Sequence, residues 1–275
     1  MTLVTLLIAL GWLGAGRAGA EQRVTVRAVK DRSGVRLVAV NATAATVTAR
    51  VELTSASNVS STTRLPATFV VRPGETRELV RLGPASRSRA WRYTWHYNFV
   101  YGQPALHDAR ARYRWPFDTS TPRFCGQGNH GKFTHNGPEE YAFDFRMPIG
   151  TPVRAARGGV VALVEDRYSR GGKLEELKTQ ANEVLIAQDD GTIARYLHLQ
   201  QHGVRVREGQ HVATGDLLGL SGNVGYSTEP HLHFEVRTVV ANAKPMSVPV
   251  QFQDGSVPVR GRWYPGGLTK GPHSW

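Results

Sequence analysis

Alternation with a period of two residues recurs along most of this chain, and it restricts the fold more than any other feature. Runs such as VTVRAV, VRLVAV, ATVTARVEL and ATFVVRPGETRELVRL fill Val24 to about Tyr113, broken by Gly, Pro, Asn and Ser. Short alternating runs at that spacing predict an antiparallel β-sandwich. Beyond Cys125 the same texture continues, with turn signals at Asp190-Gly191, Glu208-Gly209, Gly215-Asp216 and Gly222-Asn223. Only Lys173 to Thr179 reads as helical, so the expected class is all-β. Trp91, Tyr93, Trp95, Tyr97 and Phe99 occupy alternate positions, which puts them on one face of a strand, expected to be a core face.

A chain of 275 residues is long enough for two domains. Between Ala109 and Gly128 the alternation lapses in a segment rich in Arg, Pro and Thr, which predicts a connection. Residues 21–115 are therefore expected to form the sandwich and residues 116–275 a second, mostly β domain. Met1 to Ala20 is apolar and ends in Ala18-Gly19-Ala20, the form of a secretory leader cleaved before Glu21. It carries no Lys or Arg ahead of its apolar stretch, and an uncleaved membrane anchor is the competing reading. Export follows from either. No later stretch is apolar enough to cross a bilayer, so no stable membrane insertion is expected after cleavage.

The single cysteine, Cys125, excludes an internal disulfide, and a buried or loop thiol is expected there. The formal charge is +12, and 28 of the 34 basic residues are arginine, a balance that favours polyanionic surroundings. The arginines are scattered, with no basic helix or aromatic-flanked basic patch of the kind that marks nucleic-acid modules. No nucleic acid is therefore expected as a partner, and anionic cell-envelope polymers fit an exported chain better.

Three runs carry the chemistry. In YAFDF, Tyr141, Phe143 and Phe145 point one way and Asp144 the other; in YLHL, His198 lies opposite Leu197 and Leu199. In HLHFEV, Leu232, Phe234 and Val236 share one face and leave His231, His233 and Glu235 on the other. A single His-X-His strand is more often structural, and buried Asp and His usually find hydrogen-bond partners without a metal. Three strands agreeing in polarity, with His135 in a loop just before the first, point to a metal instead. Imidazole and carboxylate are zinc's ligands when thiolate is absent, and a catalytic site uses three of them while a fourth position stays open for water. A His, Asp, His set meets that count, and His198 and His231 would then face the water as acid-base or oxyanion-stabilising groups.

At these residues the chain resembles the lysostaphin-like (LytM-type) zinc metallopeptidases of peptidoglycan. The match runs from FTHNG at 133–137, through YAFDFRMPIGTPVRAARGGVV at 141–161 and NEVLIAQDDGTIARYLHL at 182–199, to SGNVGYSTEPHLHFEVR at 221–237. The resemblance implies zinc held by His135, Asp144 and His233, with His198 and His231 as the catalytic histidines. It implies a curved antiparallel sheet with a groove (a duplicated hybrid motif), and an immunoglobulin-like sandwich is a plausible companion. It also implies an endopeptidase acting on cross-links or stem peptides of peptidoglycan, periplasmic or extracellular. The chain departs from the family in three places. His135 stands nine residues before Asp144, further than in the commonest family form, which makes His130 the fallback ligand. Glu229 and Arg146 stand where the family usually has Gly and Ala.

Two other readings compete. VRVREGQHVATGDLLG at 204–219 also resembles the turn pattern of biotinyl, lipoyl and sugar-phosphotransferase carriers. The stretch between Lys178 and Lys244 holds no attachment lysine, and the leader and Asp144 argue against a carrier. The other reading is a catalytically silent family member that binds cell wall or activates a cell-wall amidase. Such members lack a ligand or a catalytic histidine, whereas all five positions are filled here.

Overall fold

The alternating runs between Val24 and Tyr101 pair into two antiparallel sheets in a computed structural model that describes residues 23–265. The expected leader, residues 1–20, lies outside the described residues. One sheet orders its strands Val24–Asp31, Gly34–Asn41, Thr76–Pro84 and Val59–Ser61; the other orders them Ala67–Val71, Val47–Ser57 and Arg92–Tyr101. Val24, Val26, Val35 and Leu37 of the first sheet and Val47, Val51 and Val71 of the second close one shared core. Each fully buried Val or Leu contributes roughly 1.5–3 kcal/mol. Tyr93, Trp95, Tyr97 and Phe99 lie half-buried against this core, on the face that alternation gave them.

From Arg112 to Tyr264 a second core forms. Its main sheet has nine antiparallel strands. Their order is His211–Val212, Gly159–Glu165, Glu183–Ala187, Ile193–Leu197, His231–Val240, Phe143–Arg146, Arg123–Gln127 and Trp263–Tyr264, with Lys244–Ser247 also on the His231–Val240 strand. A smaller antiparallel sheet joins Pro152–Arg154, Leu217–Ser221 and Leu199–Val204. Phe143, Phe145, Leu232, Phe234 and Val236 from the large sheet meet Val153, Leu199 and Leu218 from the small one. One face of the two central strands is thereby committed to apolar packing. Their polar residues can only project from the other.

Three local features differ from, or sharpen, the reading of the sequence. The Ala109–Gly128 segment is more than a connection, because Tyr113, Trp115 and Phe117 enter the second core. Trp115 stacks on Phe252 with ring centroids 4.1 Å apart and planes 5° from parallel. These aromatics do alternate, with Arg114 and Pro116 between them, but the run is too short and too rich in Arg and Pro to read as a strand. The expected helix over Lys173–Thr179 is a short 3-10 turn, Glu175–Thr179, pinned by buried Leu177. Cys125 is buried, with its thiol 3.1 Å from the Gln127 carbonyl, and burial together with the nearby Asp144 charge pushes its pKa up to about 12.

Candidate metal centre and active site

Register brings the first two polar groups together. The Phe143–Arg146 and His231–Val240 strands run antiparallel with Asp144 opposite His233 and Arg146 opposite His231. Directly opposed side chains lie about 4.5–5.5 Å apart at Cβ, and here His233 Nδ1 reaches Asp144 Oδ1 at 3.0 Å. His135, carried by the loop before the Gly137–Glu139 turn, points Nε2 at the same oxygen from 3.1 Å. His231 Nε2 stands 3.6 Å from it.

The chemistry of His135 tests whether this cluster suits a cation. Its Nδ1 bonds the Gly128 carbonyl at 3.0 Å, and a carbonyl can only accept, so in the neutral ring Nε2 carries the lone pair. That Nε2 is buried and makes no hydrogen bond. In that neutral form the lone pair faces, across 3.1 Å, a carboxylate oxygen that already accepts from His233. A buried acceptor in that state costs free energy unless a cation satisfies it. His135, Asp144 and His233 each offer a ligand atom, all within 4.8 Å of one another. The other oxygen of Asp144 is held by Gln127, whose Nε2 donates to Oδ2 at 2.7 Å, which leaves Oδ1 turned toward the histidines as the ligand atom. The residues fit a metal.

Behind His233 lies a second layer of charge. Its Nε2–H faces Glu235 Oε1 at 3.2 Å, so the ring is held between two carboxylates. Burial favours the neutral ring, but the hydrogen bonds to Asp144 and Glu235 outweigh it and push the pKa of His233 up to about 10. Burial would likewise raise Asp144, yet the neighbouring His231 and the hydrogen bond from His233 hold it well below the usual carboxylate range. Glu235 is fully buried and accepts from Arg237 at 2.5 Å and Arg195 at 3.4 Å. Both arginines also reach Glu139, at 3.1 and 3.3 Å, and Arg195 bonds Glu183 at 2.5 Å. Glu139, His233 and Glu235 are close enough for a second metal. The two guanidiniums already bridge those carboxylates, so that space has its cations.

His198 and His231 flank the cluster. His198 does not continue a strand: it breaks Ile193–Leu197 from Leu199–Val204 with φ of 67°, a left-handed conformation uncommon outside Gly and typical of functional positions. Its Nδ1–H donates to the Val224 carbonyl at 2.7 Å. Burial and the neighbouring His231 and His233 push its pKa well below the ordinary value, so His198 is neutral with Nε2 free to accept. Gly222 makes the approach of that carbonyl's loop feasible, because a Cβ there would sit 2.6 Å from the Gln200 nitrogen. His231 Nδ1–H donates to the Glu229 carbonyl at 2.8 Å and lies 3.2 Å from Ser227 Oγ. The two rings are 4.6 Å apart.

All five histidine and aspartate positions singled out in the sequence converge here. His130 does not: it pairs with Glu140 at 2.9 Å and sits edge-on to Tyr141. Arg146 and Glu229 pair with each other at 2.7 Å. Gln127 was not anticipated. Strict alternation puts it on the same face as buried Cys125, but Asp144 opposes Gln127 and Phe145 opposes Cys125, so Gly126 is an extra residue and the two fall on opposite faces.

A buried His, Asp, His cluster on an antiparallel sheet, with two further imidazoles beside it, defines a metallopeptidase-type domain. Residues 138–248 match the profile of Peptidase family M23. That segment, about two fifths of the chain, is similar to the lysostaphin-like metallopeptidases. The chain is 39% identical over 118 residues to the peptidoglycan DD-endopeptidase ShyA of Vibrio cholerae, covering 42% of this chain and 24% of that one. It is 40% identical over 101 residues to lysostaphin of Staphylococcus simulans, covering 36% and 18%. The catalytic domain of that lysostaphin, in crystal form, aligns at 28% identity and a TM-score of 0.32, covering 46% of this chain and 87% of that one. The matched segment thus spans a quarter or less of the length of these curated relatives.

Proposed function

We propose that this protein is an exported zinc endopeptidase that hydrolyses peptide bonds in peptidoglycan cross-links or stem peptides. The observation that carries the reading is the unbonded Nε2 of His135 aimed at Asp144 Oδ1 beside His233 Nδ1. The ligand set would be His135 Nε2, Asp144 Oδ1 and His233 Nδ1, a hard and borderline N/O set that suits zinc. Zinc held there supplies Lewis acidity toward a scissile carbonyl and an attacking water.

The protein's own groups supply proton traffic and alignment. His198 and His231 both have Nδ1 anchored on carbonyls, which fixes the orientation of each Nε2, an acceptor whenever its ring is neutral. One can take the proton that the attacking water releases as its oxygen bonds to the carbonyl carbon. That proton then passes to the amine nitrogen as the peptide C–N bond breaks. Gln127 holds Asp144, and Glu235 holds His233, so neither ligand is free to turn.

The substrate class is supported by the names of the relatives, among them a peptidoglycan DD-endopeptidase and a glycyl-glycine endopeptidase. The leader at residues 1–20 supports export to a periplasmic or extracellular wall. We further propose that residues 21–115 fold as a separate unit that contributes no ligand. The test is metal analysis of purified protein together with digestion of isolated sacculi and mass analysis of the products. About one zinc per chain and newly freed peptide termini are expected. Zinc-loaded protein that opens no peptide bond in sacculi of either cross-link type would overturn the peptidase reading.

A further inference from the structure

The charge of this protein is segregated in a way the total conceals. Residues 23–115 hold sixteen basic and five acidic residues, a net of +11, whereas residues 116–265 hold sixteen of each. An arginine-rich composition alone would enrich both parts alike. What distinguishes the amino-terminal part is the scarcity of acid: between Leu79 and His107 there is none.

Within that acid-free stretch one loop stands out. Arg87, Arg89 and Arg92 are exposed, and their guanidiniums make no hydrogen bond or ion pair among the described residues. By contrast Arg36 and Arg81 on the neighbouring sheet pair with Asp31 and Glu78. The backbone beneath the three arginines is clamped. Asn58, at φ of 53°, donates from its amide to the carbonyls of Ser86 at 2.8 Å and Arg89 at 2.9 Å, and accepts from the Ser86 N–H at 2.8 Å. Trp91 stacks on Tyr93 with centroids 5.1 Å apart in the same loop and strand.

Position adds to composition. The Arg92–Tyr101 strand starts at this loop, and its Tyr101 end packs beside Ala162, Leu163, Leu185 and Ile193 of the peptidase part. Ten residues of strand at about 3.3 Å each put the loop roughly 30 Å from that contact. None of the loop's residues is among the metal-site residues.

We propose that the Ala85–Arg92 loop is an anchoring surface for an anionic glycan-peptide polymer, the same wall material assigned above to the metal centre. Guanidiniums match carboxylates as planar forks. This deepens the proposed function and rests on it for the identity of the polymer.

The test is cosedimentation of the full-length mature chain with purified sacculi. The wild type is compared with a triple Arg87→Gln, Arg89→Gln, Arg92→Gln variant and with a control that removes equal charge from exposed, unpaired positions, Lys173→Gln, Arg207→Gln, Lys244→Gln. Three exposed contacts predict about tenfold weaker sacculus binding for the loop variant, with the control within about twofold of wild type and both melting as wild type does. Equal losses in loop variant and control would overturn the surface in favour of bulk charge, and no loss in either would overturn it outright. Loop-dependent binding that is tighter to duplex DNA or to vesicles containing anionic phospholipid than to sacculi would overturn the polymer assignment. Cleavage of a soluble cross-linked muropeptide reports the peptidase reading separately. A protein without that cleavage whose sacculus binding still falls in the loop variant would refute the peptidase and keep the anchor.

Discussion

Zinc binding should expel one proton, and the geometry says from where. His233 is held between Asp144 and Glu235, which raises its pKa from 6.5 to about 10, so near pH 7 the metal-free ring carries protons on both nitrogens. A metal at Nδ1 needs that lone pair. Asp144 contributes no proton, being held well below the usual carboxylate range. Displacing the proton across about three pH units costs about 4 kcal/mol at pH 7, at 1.36 kcal/mol per unit. Apparent affinity should therefore rise about tenfold per pH unit from pH 6 toward 9. Calorimetric zinc titration in buffers of different ionisation enthalpy reads the proton count directly. Near pH 6, below the ionisation of a zinc-held water at about pH 7, the count should be close to one. The same raised pKa means that His233 stabilises the metal-free fold fully below its unfolded value of 6.5, and that this is lost as pH rises through about 10. A count near zero at pH 6, with affinity flat in pH, would refute His233 as a ligand displaced from that double hydrogen bond.

Other outcomes follow from the same geometry. His135→Ala, Asp144→Ala and His233→Ala should each lose zinc on dialysis while His130→Ala, whose ring pairs with Glu140, keeps it; retention by His135→Ala with loss by His130→Ala would reverse the assignment. His198→Ala and His231→Ala should keep zinc and fold yet lose about 10²- to 10⁴-fold in turnover, and a variant that melts lower but turns over normally per folded molecule would refute its role in proton transfer. Cys125, buried with a pKa pushed up to about 12, should resist iodoacetamide at pH 8 until denaturant is added; prompt labelling of the native protein would contradict that burial.

What could be read from the sequence, and what could not, divides along a physical line. Alternation is local, so it placed His231, His233 and Glu235 opposite Leu232, Phe234 and Val236 without any knowledge of the partner strands. It also put Asp144 opposite Phe143 and Phe145, and the antiparallel register then made Asp144 and His233 neighbours. Alternation breaks down where the backbone leaves the pleat. His198, read as the outward residue of a strand, instead turns the chain at φ of 67°, and Gln127 changes face at the Gly126 bulge. Both exceptions touch the site, and the reason is mechanical. A regular strand aims every second side chain along one normal, so several groups can converge on one point only if some depart from regularity. The buried Glu235, Arg237 and Arg195 array was hidden for a different reason, since its pairing depends on which strands lie side by side. Arg195 opposes Glu235 only because Ile193–Leu197 pairs with His231–Val240, a long-range choice that no short stretch of sequence records. Deleting one member of that array leaves the others charged and buried, which is more costly than losing the interaction itself. Glu235→Ala should therefore destabilise the fold as well as weaken zinc binding, whereas Glu235→Gln, which keeps an acceptor for His233, should act mainly on the metal and lower the proton affinity of His233. If the two variants melt alike and bind zinc alike, the array is packing rather than support for the metal centre.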